Sequence, residues 1–300
     1  MRIVYQIVFA VLSGSLLHAQ NYIDLANLSY SITPQNQFED YEAQTQVEEV
    51  EFQFTFPKVL DDKNTFIATV MLESNALRLD PTITQRTTLA SLGLALGFNH
   101  KYSDQLAITY LVIPKIASDL SFISSEGLQL GGLALATLKK NENFNYKIGL
   151  YANTEAFGLF LVPYVGFYYL SPSKRFEAYI TTINGDINYM LTDKLNIGGD
   201  VNGLTSSYAL SEPYFGTSPE YFAKNTTEFF AYLRYPISKG LYLKAKAGYS
   251  ITRTYKVFEQ DDKVALGLSL FYLGDDRNQL NTPLQKGALF KLELLYRFQL

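Results

Sequence analysis

Cysteine and tryptophan are both missing from this 300-residue chain, and histidine occurs only twice. The missing thiols exclude disulfide scaffolds, thiolate zinc sites, iron–sulfur centres and cysteine nucleophiles together. Charge is scarce as well: Asp, Glu, Lys and Arg make up 18 % of the residues, where ordinary globular chains carry about a quarter. The formal net charge of −4 supplies none of the basic footprint that nucleic-acid binding needs. A mean hydropathy of −0.02 argues against a bundle of membrane helices, whose spans need ~20 apolar residues each. No glycine-rich loop is placed to cradle a phosphate, since Gly131-Gly132 and Gly198-Gly199 fall within strand patterns. The acidic clusters Glu39-Asp40-Tyr41-Glu42, Asp261-Asp262 and Asp275-Asp276 lack the spacing of a calcium loop. No cofactor and no metal is expected.

Aromatic residues are abundant, with 23 Tyr and 21 Phe. The first nineteen residues read as a secretory signal peptide: Arg2, an apolar stretch from Ile3 to Leu17, then Leu17-His18-Ala19 with a small residue at the cut. That stretch is too short for a membrane anchor, and no basic stop-transfer cluster follows it. The expected organisation is a signal peptide at 1–19 and an exported domain over 20–300.

Within that domain the dominant pattern is alternation. Val50, Phe52, Phe54 and Phe56 alternate with Glu51, Gln53 and Thr55. Leu92, Leu94, Leu96 and Phe98 alternate with Gly93, Ala95, Gly97 and Asn99. The stretches at 241–252, 264–272 and 288–300 behave alike, each a strand with one apolar face. Such runs exceed the ~5–6 residues of an ordinary strand and match the ~9–11 needed to cross a bilayer at a tilt. The apolar face needs either lipid or a second sheet against it. Because the other face is small and polar, and Tyr and Phe cluster near strand ends, lipid outside and a wet lumen inside is the favoured reading. The fold class is therefore all-β, a transmembrane antiparallel up-and-down barrel of about twelve to fourteen strands. A plain count gives fourteen, with 174–190 and 262–274 each taken as one strand. That count puts the turn-like Leu191-Thr192-Asp193-Lys194 at the wrong end, and a split at Asn184-Gly185-Asp186 repairs it only by giving fifteen.

One segment breaks the alternation: Ala156 to Leu170 is apolar or aromatic throughout. It is either a lining for an apolar ligand, with Tyr164 and Tyr168 as contacts, or a packed patch inside a narrow barrel. The loop candidate Tyr208 to Tyr221 is the longest on the side opposite the short turns. Charges are more informative, because on the lipid face they cost ~2–4 kcal/mol near the midplane and must point inward. Glu49 and Glu51 then oppose Lys244, Lys246, Lys291, Glu293 and Arg297 across the closing strands. These rows either set a field for a polar solute or form a structural network that fills the interior. Chemistry has little support: His100, Ser103 and Asp104 share one turn, but sequence proximity makes no triad.

The stretches GLFLVPYVGFYYLSPSKRFEAYI (158–180), NYMLTDKLNIG (188–198), GDDRNQLN (274–281) and the closing LYRFQL (295–300) resemble uncharacterised outer-membrane β-barrel families of Bacteroidota. The closing strand also resembles the signal read by the barrel-insertion machinery, with Phe298 two residues early. The resemblance implies an outer-membrane location among lipids and brings no substrate or catalytic residue with it. Non-enzymatic passage of a small solute is the leading expectation, ahead of a structural or loop-binding barrel with a filled lumen and of a lipid hydrolase. Intact-mass measurement of the membrane-inserted protein should find a chain beginning at Gln20, to within a residue. A chain retaining residues 1–19 in that fraction contradicts the signal-peptide reading.

Overall fold

The computed structural model describes residues 22–120, 125–269 and 271–299, and the signal-peptide assignment lies outside them. Fourteen strands form one wall: β1 (Tyr22–Ile32), β2 (Glu48–Val59), β3 (Asn64–Leu77), β4 (Thr87–Lys101), β5 (Leu106–Ser118), β6 (Leu128–Asn141), β7 (Phe144–Glu155), β8 (Gly158–Leu170), β9 (Phe176–Thr181), β10 (Asn184–Thr192), β11 (Leu195–Ala209), β12 (Glu220–Ser238), β13 (Leu241–Glu259) and β14 (Gly287–Gln299). Each pairs antiparallel with the next. β1 pairs with β14 from Tyr22 opposite Gln299 to Ile32 opposite Phe290, which closes the barrel.

The strand number agrees with the plain count, but by a different route. Residues 174–190 form two strands, and the break falls at Thr182-Ile183, not at Asn184-Gly185-Asp186. Thr181 makes this turn, because its Oγ1 donates to the Asn184 carbonyl at 2.9 Å and accepts from the Asn184 N–H at 3.0 Å. Residues 262–274 add no wall strand. They hold a small hairpin, Leu266–Leu268 against Phe271–Leu273, with left-handed backbone at Ser269 and Gly274 breaking any longer run. One strand gained and one lost also moves the Asp193-Lys194 turn to the end that carries Tyr22 and Gln299. That end has only short turns, and we call it the turn end; the segments 33–47, 78–86, 210–219 and 260–286 lie at the loop end.

The chain is apolar outside and charged inside. Leu28, Phe54, Leu72, Leu92, Val112, Ile148, Leu233 and Leu292 are exposed on the outer face, while Glu49, Lys224, Lys244, Lys246, Lys291 and Glu293 are buried on the inner one. Lipid solvates the first set and the second must solvate itself, which is the arrangement of a transmembrane barrel. Phe98, Tyr102, Tyr110, Tyr146, Tyr189, Tyr235 and Tyr296 are exposed near the turn end, where amphipathic rings suit the headgroup level. Tyr168 and Tyr232, which strand-end position suggests for that belt, are buried instead.

The wall is uneven in height. β9 has six residues and β10 nine, whereas β12 and β13 have nineteen each. Above the β9–β10 tip, β11 leaves the wall and bridges to β5 in parallel, Ala209 with Ser118, bypassing β6–β10. The loop end is therefore narrower than the turn end, and an apolar core fills it. Leu77, Leu89, Ala117, Tyr208, Phe222 and Val257 meet there with Phe38 and Leu284 from the loops. A second core lies between the other face of β12–β13 (Tyr221, Ala223, Phe258) and the upper ends of β7 and β8 (Ala156, Phe157, Phe160, Val162). Tyr208 and Tyr221 are thus buried strand residues, and the loop between them shrinks to 210–219.

Leu292 sits mid-strand on the lipid face of β14 and is more than half exposed. Leu292→Arg should lower the folding free energy in bilayers by about 2–4 kcal/mol, read from urea titrations in lipid vesicles. A change below about 0.5 kcal/mol would place β14 outside the hydrocarbon.

Candidate functional site

Below the two apolar cores the lumen widens into a chamber of about 830 Å³. Strand parity aims alternate residues of β1–β3 and β11–β14 into it, and many of them are charged. Nearest the turn end, the Arg297 guanidinium forks onto Asp24, with Nε to Oδ1 at 2.7 Å and Nη2 to Oδ2 at 3.0 Å. The Tyr22 ring lies 3.3 Å from that guanidinium, and Tyr22 and Tyr168 both donate their hydroxyls to Glu177. At mid-height, Lys246 bridges Asp200 at 2.7 Å and Glu293 at 2.6 Å. Lys244 meets Asp186 at 2.9 Å, and Lys291 meets Glu51 at 2.9 Å. Under the loop-end core, the Lys224 ammonium donates to Glu49 at 2.7 Å, to Asn75 at 2.9 Å and to Glu73 at 3.0 Å, with its side chain 1 % exposed. Three donors meeting three acceptors is the full capacity of an ammonium, so this cation is structural.

On the opposite wall Lys115 reaches Glu155 at 3.2 Å. Glu155 also accepts the Ser207 N–H at 2.8 Å and the Ser207 hydroxyl at 2.6 Å. Gln129 completes the site by donating to the Ser207 carbonyl at 3.0 Å. Side chains of β6 and β7 therefore satisfy the edge of β11 where its strand partner has ended.

All seven charged residues singled out by the sequence, Glu49, Glu51, Lys244, Lys246, Lys291, Glu293 and Arg297, line the chamber. Tyr164 and Tyr168 do not: Tyr164 shares a short hydroxyl contact with Tyr179, and Tyr168 is sealed behind Glu177. In the same segment Phe157, Phe160 and Val162 belong to the second apolar core, so the stretch 156–170 is a packed patch in its upper half. Sequence reasoning missed Glu73, Lys147, Glu155, Asp186, Asp200, Lys224 and Glu228, all inward by the same period of two. Glu73, Asp186 and Asp200 were legible as lone charges in otherwise neutral strands, and the other four as charges at inward positions of β7 and β12. His100 bonds Asn64 through Nδ1 at 2.7 Å, the Ser103 hydroxyl accepts the Gln105 and Leu106 N–H groups, and Asp104 pairs with Lys101. These three residues are directed apart and form no triad. Among the described residues no cluster of metal-ligating side chains occurs.

The lining holds ten carboxylates and six cations. With Lys224 behind it, the chamber is almost wholly paired. Among the described residues Glu228 is the lining carboxylate with no ion pair, and Lys147 is the lining cation with none, bonding only the Thr137 hydroxyl at 3.1 Å.

Residues 16–267 match the family described as "Domain of unknown function (DUF6268)". The chain belongs to that family. No curated protein matches this DUF6268 chain. Similar solved structures include the COG4313 outer membrane channel from Pseudomonas putida F1, at 8 % identity and TM-score 0.47, covering 93 % of this chain and 98 % of that one. The NanC porin follows at 10 % identity and TM-score 0.40, covering 90 % and 98 %. The P. putida toluene transporter TodX has 11 % identity and TM-score 0.39, covering 93 % and 91 %. At those scores the fold of the DUF6268 barrel rests on its own strand pairing.

Removing the cation that Glu49 and Glu73 share leaves two carboxylates buried together. Lys224→Met should destabilise the barrel by about 3–5 kcal/mol, seen as a lower temperature for loss of the compact form on unheated gels. Unchanged heat resistance would show that this triad does not hold the loop end.

Proposed function

We propose that this barrel is an outer-membrane channel, with its turn end in the periplasm and its loops outside, that passes a small solute through an occluded chamber. The single observation that carries this reading is the 830 Å³ space in the lumen, which lies within the ~300–1,000 Å³ range of small-molecule sites. A barrel serving only as scaffold would gain from filling that volume, as its loop end is filled. The ion pairs make the charged rows a lining that tolerates polar groups, although carboxylates outnumber cations around the chamber. Exported by its signal peptide and inserted by the barrel-assembly machinery, the protein is solvated by outer-membrane lipids and performs no chemistry of its own.

A filled loop end also suits a binding barrel that works through its outer loops, so the test must separate the two. Purified protein, refolded and placed in a planar bilayer, should give small, brief current steps in potassium chloride. Tyr208→Ala with Phe222→Ala thins the loop-end core, and should make those steps severalfold larger and longer. If neither form carries current or admits small sugars in liposome-swelling assays while both remain folded, the passage reading fails and the binding barrel stands.

A further inference from the structure

The low hairpin β9–β10 leaves a notch in the wall. Its tip reaches the level of Val165 and Gly203: the Thr182 N–H donates to the Val165 carbonyl at 3.0 Å, and the Gly203 N–H to the Ile183 carbonyl at 2.8 Å. Above that tip β8 has no wall strand beside Gly158 to Tyr164, and β11 has already turned inward to β5. The hairpin of Leu266–Leu268 and Phe271–Leu273, reached from the loop after β13, fills the gap. It pairs with β8 in parallel through only two positions, Phe160 with Gly267 and Leu161 with Leu268. Val264 and Ser269 add N–H donors to the Phe157 and Leu161 carbonyls, both at 2.9 Å.

The hairpin has the two faces of a piece of barrel wall. Gly267 and Tyr272 point inward. A Cβ at Gly267 would meet the rings of Phe160 and Phe157, so the close approach requires glycine. The opposite face carries Leu266, Leu268, Phe271 and Leu273, with Phe271 69 % and Leu273 51 % exposed. That face continues the lipid-facing row of Leu130 and Leu159, which are 57 % and 46 % exposed. An apolar patch in water would be costly, whereas beside that row it meets hydrocarbon. Beyond those few backbone bonds, side-chain packing and one cation hold the hairpin. Arg277, paired with Asp275 at 2.7 Å, lies over the rings of Phe258, Tyr272 and Phe157 at 4.3, 4.7 and 5.7 Å.

Behind the hairpin is the second apolar core, against which Tyr151 and Ile183 pack. Tyr151, with Asn184, Gly203 and Leu204 at the base of the notch, also lines the chamber. We propose that the notch is a lateral portal between the chamber and the lipid phase, closed by the hairpin of Leu266–Leu268 and Phe271–Leu273, and that its cargo is an anionic amphiphile. Entry past Phe160, Tyr272 and Tyr151 requires an apolar body. Inside, Lys147 is the lining cation without a carboxylate partner among the described residues, and Ile113, Met71 and Tyr179 give apolar surface near charged walls. The inference rests on the passage reading and names its substrate class.

The test exploits two absences, since the chain has neither cysteine nor tryptophan. Leu161→Cys with Leu268→Cys joins directly paired positions; neighbouring strands stand about 4.8 Å apart, within the ~4.4–6.8 Å span of a disulfide. Tyr151→Trp adds a single emitter at the inner side of the portal. In vesicles of phosphatidylcholine brominated on its acyl chains, the reduced protein should be quenched, and oxidation to the locked form should remove most of that quenching. Added dansyl-undecanoate should accept energy from the same tryptophan in the reduced form only, and Lys147→Met should weaken that transfer severalfold. Potassium current, recorded in both states, should not change with the lock. Quenching and transfer that are equal in the locked and reduced forms overturn the portal, whatever the current does. Absence of current in every form overturns axial passage, while lock-dependent quenching upholds the portal by itself. Arg277→Ala, which loosens the hairpin without a disulfide, should raise quenching in the absence of any lock, and unchanged quenching there counts against the portal.

Discussion

In hydrocarbon every backbone N–H and C=O group must find a partner within the protein, at a cost of several kcal/mol for each one that does not. A barrel meets that demand by closing its ladder, and in this one two strands of the wall, β9 and β10, are too short for the job. Where β9 and β10 stop, two strand edges lie open, and most of the unusual features of the molecule answer them. The edge of β11 is satisfied by a direct bridge to β5 and by Glu155 and Gln129, whose side chains accept and donate where a strand would have. The edge of β8 is satisfied by the tip of β9–β10 and by a hairpin from a distant loop. Pro163 lies on that same edge, its carbonyl accepting the Thr182 hydroxyl at 2.7 Å. A residue with no N–H to leave unpaired suits that position.

The bend of β11 has a second consequence. Once it crosses to β5, the upper parts of β12 and β13 have protein on both sides, so both faces become apolar and two cores form in place of one lumen. Charges retreat to the middle of the barrel, where almost every one meets its opposite. Buried charges are tolerated only when paired and hydrogen-bonded, and Lys224, Lys246 and Arg297 each hold two acidic groups. Such a network fixes the cross-section of the chamber, because moving one strand would strip partners from charges on several others.

The period of two in the sequence carried the fold class, the inward direction of the charged rows and the position of most turns. Lys291 and Glu51 meet as strand parity and barrel closure require. The break after Thr181 was hidden because the threonine side chain makes it, without the glycine at the turn that a tight hairpin usually signals. The inward course of β11 and β12 was hidden for another reason. Once both faces of a strand are buried, Tyr208, Tyr221 and Phe222 lose the polar alternation that marks a membrane strand, and the stretch reads as a loop. Likewise the aromatic stretch 156–170 signalled burial on both sides, but could not say whether protein or ligand provides it. Its partner surface comes from residues more than fifty positions away, such as Tyr221 and Phe258.

The two ends of the barrel differ in chemistry, and that difference bears on the routes to the chamber. At the turn end Arg297, Asp24, Glu177 and Tyr22 crowd one side, while β3, β4 and β5 present Thr69, Ala95, Gly97 and Thr109 inward on the other. At the loop end the narrowed ring is filled with rings and leucines, which no polar solute would enter without displacing protein. Among the described residues, the notch beside β8 alone combines an apolar boundary with a weakly paired cover, two ladder positions set against the twelve that join β8 to β7. The lining of the chamber presents both polar and apolar groups. Ile113 and Lys115 of β5 and Tyr151 and Glu155 of β7 face it together, with one strand between them.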